Sequence, residues 1–401
     1  MNPILAFVVV MLVWTVSDLV AKRTQSLLSS LFVASIIFLV GFLTDIFPED
    51  LLTSSSLLGL AGVVVGFIIV HLGTMISLED FTKQWKTFLV GVATVLGIGV
   101  SLLLAGLIFG PRISGTAADG YAQALDFIVA GTGSLSGGTI SVLIVQEAAL
   151  GVGLTSIAIF PVLIAALQGL VGFPLTSLIL RKEAGRLREE YRAGRLTAPA
   201  TQEQAEVAPS RLPAALQTTP GTLVVVGVVV LVSLGVNNLT DGILNTFVVA
   251  LLLGIALRTA GVLRPSVLSG IDALGLMMLA IMILVFAPLA TVEPSDVVAL
   301  AFPLLLAFLF GVVGIAGFAA LVGTLVGYSV PMSVAIGLTS LYGFPGTMIL
   351  SQEAAKGAGE SPEEVAAIEG EILPKMIVAG FSTVTITSVV VTSILAGAIG
   401  R

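Results

Sequence analysis

The 401-residue sequence has no cysteine, one histidine and few charges, with Asp, Glu, Lys and Arg together making up 10% of the chain. Without cysteine there is no disulfide framework and no thiolate chemistry. A lone histidine excludes most zinc sites and the usual nucleophile–base pairs of covalent catalysis, so the chain does not read as an enzyme. Basic residues are the minority, 17 Lys and Arg against 24 Asp and Glu, for a net charge of −7. That balance excludes nucleic-acid binding as a main role. No Gly-rich loop ending in Lys-Ser/Thr is present, so an ATP-driven pump would lack its phosphate cradle. Soluble domains carry about 25% charged residues, and a chain that is 57% hydrophobic falls outside that class. The composition is that of an all-α polytopic membrane protein.

Apolar runs bounded by polar or Pro/Gly breaks predict spans at Pro3–Val20, Leu27–Phe47, Leu57–Leu78, Phe88–Gly110 and Leu154–Leu180. A second set follows at Thr222–Val236, Ile243–Leu257, Ile271–Ala290, Val298–Val326 and Ile372–Ala398. Most approach the ~20 residues that a crossing helix needs. Interrupted apolar segments lie at 127–150 and 332–355. No basic residue precedes the first run and no small-residue cleavage site follows it, so it reads as an uncleaved helix with its N-terminus outside.

Lys and Arg set the sidedness. If each interrupted segment enters and leaves on one face, 15 of the 17 basic residues share a side, including Lys22, Arg23, Lys83, Lys86, the Arg181–Arg211 cluster, Arg258, Arg264, Lys356 and Lys375. Only Arg112 and Arg401 lie opposite, among Asp45, Glu49, Asp50, Asp241, Glu293 and Asp296. The positive-inside rule makes the basic side cytoplasmic. The expectation is therefore about ten spans plus two re-entrant hairpins in the inner (plasma) membrane, with both termini outside. Residues 181–219 form a cytoplasmic linker. Its start, Arg181–Leu196, can prolong the preceding helix with Arg186 and Glu190 as an i,i+4 pair, and Ala198–Gly221 reads as flexible.

The two halves, 1–180 and 220–401, repeat one another. Gly138-Thr139 precedes Gln146-Glu147-Ala148-Ala149, and Gly346-Thr347 precedes Gln352-Glu353-Ala354-Ala355. Each motif leads to a helix with an early proline, Pro161 or Pro374. Five spans per half is an odd number, so the second copy is upside down relative to the first. Inverted repeats with broken helices meeting near the midplane mark secondary transporters.

Irregular backbone at membrane depth is tolerated only where protein or a wet cavity covers its polar groups. Gly131-Thr132-Gly133-Ser134-Leu135-Ser136-Gly137-Gly138-Thr139 supplies turning freedom and hydroxyls, and Tyr342-Gly343-Phe344-Pro345-Gly346-Thr347 does the same in the second half. The half-helices beginning near Ser141 and after Pro345 point positive ends at these turns, ready for an anion. Candidate substrate contacts are Ser134, Ser136, Gly137, Gly138, Thr139, Tyr342, Gly343, Gly346 and Thr347. Candidate ion ligands are Gly133, Ser141, Glu147, Ser351, Glu353 and Asp126, since an intramembrane carboxylate is a functional hypothesis by default. Glu147 and Glu353 share the same flanking residues, which predicts one shared role. Asp18 reads as an interfacial anchor, and His71 as a buried histidine with a local partner.

Ser134-Leu135-Ser136-Gly137-Gly138 and Tyr342-Gly343-Phe344-Pro345-Gly346 resemble the signatures of the glutamate:sodium symporter family, related in fold to the sodium-dependent 2-hydroxycarboxylate transporters. That resemblance implies two inverted five-helix halves around a central loop, a re-entrant loop in each half, Na⁺ as coupling ion and a homodimer. The chain departs from the family after Gly138, where it reads Thr139-Ile140-Ser141-Val142-Leu143. The expected function is Na⁺-coupled symport of a small organic anion, such as glutamate, by alternating access. Alternatives are exchange of Na⁺ for H⁺, carried by Glu147, Glu353, Asp126 or His71, and a non-transporting membrane sensor or assembly protein.

Overall fold

The computed structural model describes residues 1–76, 78–113, 120–196, 211–240, 244, 246–269, 271–381, 383 and 387–400. Side chains at 80, 81, 83, 111, 113, 120–123, 139, 140, 155, 156 and 214 are outside that set. Asp241, linker residues 197–210 and the Thr139 side chain thus lie outside the described residues. Every regular element among the described residues is helical.

In the first half these are α1 Pro3–Arg23, α2 Ser30–Leu43, α3 Leu51–Ser54, α4 Leu57–Met75, α5 Leu78–Lys83, α6 Trp85–Ile113, α7 Gly120–Leu135, α8 Thr139–Gly151 and α9 Thr155–Arg192. The second half has α10 Thr219–Leu239, α11 Thr246–Thr259, α12 Leu274–Phe286, α13 Pro294–Ala299, α14 Ala301–Leu325, α15 Val330–Leu338, α16 Gly346–Ala358, α17 Pro362–Phe381 and α18 Ser388–Ala396. Among the described residues, 7 helical stretches are long and apolar enough to cross a membrane. The chain is an all-α polytopic membrane protein.

Two of the expected spans differ in extent. The run Leu27–Phe47 holds a helix only over Ser30–Leu43, because Gln25, Ser26 and Asp45 adopt positive φ. The helix expected at Ile372 begins ten residues earlier. Ser361 Oγ accepts from Glu364 N at 3.2 Å, with Pro362 and Glu363 in the first turn, a favourable helix start. The same run does not continue as one regular helix to Ala398: the backbone widens to π-type turns at Thr383 and Thr387, a distortion that recurs at functional sites. The expected extension of the fifth span is present, since α9 reaches Arg192 and carries the Arg186–Glu190 ion pair.

The chain forms two compact units, each discontinuous in sequence. One comprises Met1–Val8, Asp50–Trp85 and Thr197–Leu284; the other comprises Val9–Glu49, Lys86–Leu196 and Val285–Arg401. In the first, α4 and α11 touch backbone to backbone. A Cβ on Gly73 would lie 2.4 Å from Leu251 O, and one on Gly254 would lie 2.6 Å from Val70 O. His71 Nδ1 accepts from Leu268 N at 3.1 Å and Thr74 Oγ1 accepts from Val267 N at 3.1 Å. His71 thus anchors a loop that follows α11.

The second unit is built on α9, 38 residues long and so about 57 Å from end to end. Both α7–α8 and α15–α16 pack along it. Beside them α6 and α14 cross where Gly97 meets Gly314, and Ser101 Oγ donates to Phe310 O at 2.6 Å. A Cβ on Gly314 would lie 2.2 Å from Gly97 O, so backbone would have to move. Gly314→Ala should destabilise the protein by about 1–3 kcal/mol, read as a lower melting temperature in detergent. Gly317→Ala on the same helix meets nothing within 4 Å and should be neutral or slightly stabilising.

Candidate functional site

The candidate site lies in the second unit, where two helices break. The first break, at Ser136–Gly138, joins α7 to α8. Gly137 and Gly138 have φ of 86° and 91°, values that carry no steric cost only for glycine. The hydroxyls of Thr132, Ser134, Ser136, Ser141 and Ser388 are buried and partnered, while that of Thr392, beside Gly133, has no partner. Thr132 Oγ1 donates to Ile128 O and Ser134 Oγ to Ala130 O, both at 2.7 Å. Ser388 Oγ donates to Gly137 O at 2.6 Å and lies 2.8 Å from Ser136 Oγ and 2.5 Å from Ser141 Oγ. A single hydroxyl at the start of α18 therefore ties together both arms of the break and the free carbonyl at its turn. Gly133 acts by its lack of a side chain: a Cβ would lie 2.7 Å from Val145 and 2.9 Å from Thr392.

The second break, at Tyr342–Pro345, joins α15 and a short 3₁₀ turn, Thr339–Leu341, to α16. Gly343 has φ of 57° and the Phe344–Pro345 peptide is cis. Tyr342 OH donates to Thr176 Oγ1 at 3.0 Å, and its ring packs on Phe173 with centroids 5.3 Å apart. Gly172 and Gly346 admit that ring, since a Cβ on either would lie within 2.8 Å of it. Thr339 Oγ1 is 3.3 Å from Thr383 Oγ1, and Phe344 stacks on Phe381 at 5.6 Å. Gly380 lets α17 pass Thr347, whose Cγ2 would lie 2.8 Å from an added Cβ. Ser351 Oγ donates back to Thr347 O at 2.6 Å, a bond within its own helix.

Contacts fix the course of both segments. Asp126, near the start of α7, accepts from Gly400 N at 2.8 Å, and Val152, just past α8, packs against the same glycine. The break between them sits at Ser388. Ten residues of α7 separate Asp126 from the break at Ser136, so the segment runs out about 15 Å and returns. The second segment does the same along α9. Ser329 Oγ donates to Glu183 at 2.6 Å, and Arg188 Nη1 donates to Ala358 O at 3.2 Å, while the break lies at Gly172–Thr176. Phe127 meets Phe160, near the start of α9, at 5.0 Å. The first segment thus opens toward the start of α9 and the second toward its end. The segment that holds the second break meets Thr383 through Thr339, and the first break meets Ser388.

The open end of the second segment is clamped by charge. Arg192 pairs with Glu364 at 2.6 Å and with Glu360 at 2.9 Å, while Glu183, itself buried, pairs with Arg186 at 2.6 Å. Arg192 holds the Glu364 carboxyl below its ordinary value. The clamp is therefore present at neutral pH and is lost as pH falls through that lowered pKa.

The carboxylates named as ion candidates sit away from the breaks. Glu147 is exposed. Glu353 is partly buried, accepts from Ser30 N at 3.1 Å and from the Ser30 hydroxyl, and so caps α2 from another element. The shared role expected from their matching neighbours does not hold, because only α16 has a helix start beside it at that level. Asp18 pairs with Lys22 at 2.6 Å and half faces solvent.

Several side chains at the site escaped the sequence reading: Thr176 on α9, Ser340, Thr383, Ser388 and Thr392. One signal was available, the alternation of hydroxyls with apolar residues from Ser382 to Ser388 inside an otherwise apolar run. No family model matches the sequence, and no curated protein matches it.

Glu353→Ala should lower stability by about 1–2 kcal/mol by uncapping α2, with Glu353→Gln recovering most of it. Glu147→Ala should change little. Thermal melts of the three variants check this, and equal losses at the two glutamates would restore the shared role.

Proposed function

We propose that the protein is a secondary active transporter, a Na⁺-coupled symporter of a small organic anion such as an amino acid, glutamate being the first candidate. The observation that carries this reading is the pair of broken segments that open toward opposite ends of α9 and meet one helical run. Each segment runs about 15 Å before turning, half of the ~30 Å hydrocarbon thickness. This supports reading both as re-entrant hairpins whose tips reach the midplane from opposite sides. With ten spans around them, the halves 1–180 and 220–401 are then inverted repeats, as the resemblance to the glutamate:sodium symporters implies.

Physical chemistry favours an anion at such a place. The first turns of α8 and α16 carry positive partial charge toward the breaks. Turn carbonyls and hydroxyls nearby, with Ser134, Ser136, Ser141 and Thr347 among them, are oxygen donors of the kind a small hard cation takes. A cation bound beside the anion offsets the cost of moving charge into a low-dielectric interior. Alternating access follows if the hairpin-bearing helices move against the remaining helices, which also supply the dimer contact expected from the resemblance. Orientation follows the basic residues, with the linker cytoplasmic.

Exchange of Na⁺ for H⁺ is the second reading, and one observation favours it: the partly buried Glu353 carboxylate on a hairpin arm, held by Ser30. The two readings separate in proteoliposomes. Symport predicts uptake of a labelled amino acid or small carboxylate driven by an inward Na⁺ gradient and abolished when choline replaces Na⁺. Exchange predicts no organic uptake, with Na⁺-dependent proton movement that Glu353→Gln removes.

A further inference from the structure

Basic side chains on the last turns of α9 fall into two groups. Arg186, Arg188 and Arg192 each meet a carboxylate, supplied by Glu183, Glu190, Glu360 or Glu364. About one to three turns earlier, Arg181 and Lys182 have no ion pair among the described residues. The same holds for Arg23 at the end of α1 and for Lys356 on α16. All four side chains are exposed.

These cations gather around one turn, residues 24–29, which joins α1 to α2. Gln25 and Ser26 take φ of 49° and 58° there. Ser26 Oγ donates to Glu353 O at 3.0 Å, and Ser177 Oγ donates to Ser26 O. Arg181 Nη2 donates to Gln25 Oε1 at 3.3 Å, and a Cβ on Gly357 would lie 3.1 Å from Gln25 O. The turn is thus seated between α9 and α16, with Arg181 bonded to it and Lys356 next to the glycine it packs on. Carboxylates in the neighbourhood are already engaged. Asp18 pairs with Lys22 at 2.6 Å, Glu353 caps α2, and Glu369 accepts from Gln352 at 3.2 Å. Five cations, counting Lys22, against these three carboxylates leave an excess of positive charge. The excess lies where α1 ends as a span. Apolar side chains stay exposed beside it: Leu19 one turn before Arg23, Leu178 one turn before Lys182, and Leu27 within the turn itself.

We propose that this cluster binds the headgroup of an anionic phospholipid, with the phosphate among Arg23, Arg181 and Lys356 and the acyl chains along Leu19 and Leu178. Unpaired Lys and Arg at the end of a span attract anionic lipid, and guanidinium groups take phosphate oxygens two at a time. A zwitterionic headgroup brings its own cation, which the excess positive charge repels. Seating of the turn against α9 and α16 holds the cations in place before the lipid arrives, and the bound lipid ties α1 to both helices. The proposal needs only a chain embedded in a bilayer and does not depend on the transport reading.

The test is the melting temperature of the full chain in a neutral detergent, titrated with phosphatidylglycerol, phosphatidylcholine or inorganic phosphate. Phosphatidylglycerol should raise it saturably, because a ligand of the folded state stabilises that state. Phosphatidylcholine and inorganic phosphate at the same concentrations should not. The double variant Arg23→Gln with Lys356→Gln should weaken the apparent affinity for phosphatidylglycerol at least about tenfold. Arg181→Gln with Lys182→Gln should do the same, so that a folding defect in one double variant does not decide the outcome. Arg112→Gln, at the end of α6, should leave the affinity unchanged. A wild type that does not respond to phosphatidylglycerol, or responds equally to phosphatidylcholine, overturns the proposal. So does an unchanged affinity in both folded double variants. A shift reproduced by inorganic phosphate alone would mean a site for free anions and overturns the assignment to lipid.

Discussion

A peptide group that leaves its helix in a buried place must find a partner, and the second unit meets that requirement twice. At Ser136–Gly138 the partner is a side chain, Ser388, which donates to Gly137 O. At Tyr342–Pro345 the partners are backbone groups, with Gly343 N donating to Thr339 O and Thr347 N to Gly343 O, supported by aromatic packing on α9 and α17 and a hydroxyl bond to Thr176. Two solutions to one constraint leave the breaks unequal. The first is tied by the Ser136, Ser141 and Ser388 hydroxyls and leaves Thr392 Oγ1 without a partner, and the second leaves Ser340 Oγ and Thr347 Oγ1 without one.

Close approach of backbones is what makes those partners reachable. Glycines at 133, 172, 346 and 380 stand where a Cβ would strike Thr392, Leu341, Tyr342 or Thr347. In lipid, where apolar burial gives little drive to helix association, such small-residue contacts and buried hydroxyl bonds carry the packing. The same geometry links structure to the transport reading. α9 touches both broken segments, so its displacement would move both breaks.

Much of this was legible in the residues. The break at Gly137-Gly138 follows from two adjacent positions that need positive φ, and the one at Gly343–Gly346 from a glycine and proline that end a helix. The sided distribution of Lys and Arg led to the expectation that both interrupted segments return to the face they left. What could not be read was partnership across the chain. Ser388 and Ser136 are 252 residues apart, and a hydroxyl in an apolar helix reads equally well as a bond to its own preceding turn. Glu147 and Glu353 shared a motif but not an environment, because only the structure brings α2 to Glu353. The helix start at Pro362 was missed for another reason: its acidic first turn lowered the hydropathy, although Ser361, Pro362 and Glu364 spelled a helix start.

The central claim is that each broken segment returns to the side from which it entered, and that the two sides are opposite. The absence of native cysteine allows this to be measured with single cysteines at Arg112, Val152, Ser329 and Glu360, probed in intact cells with a membrane-impermeant thiol reagent. The account predicts labelling of 112 and 152 from outside, and of 329 and 360 only after the membrane is opened. Labelling that differs within either pair would mean that the segment crosses, and would contradict the account.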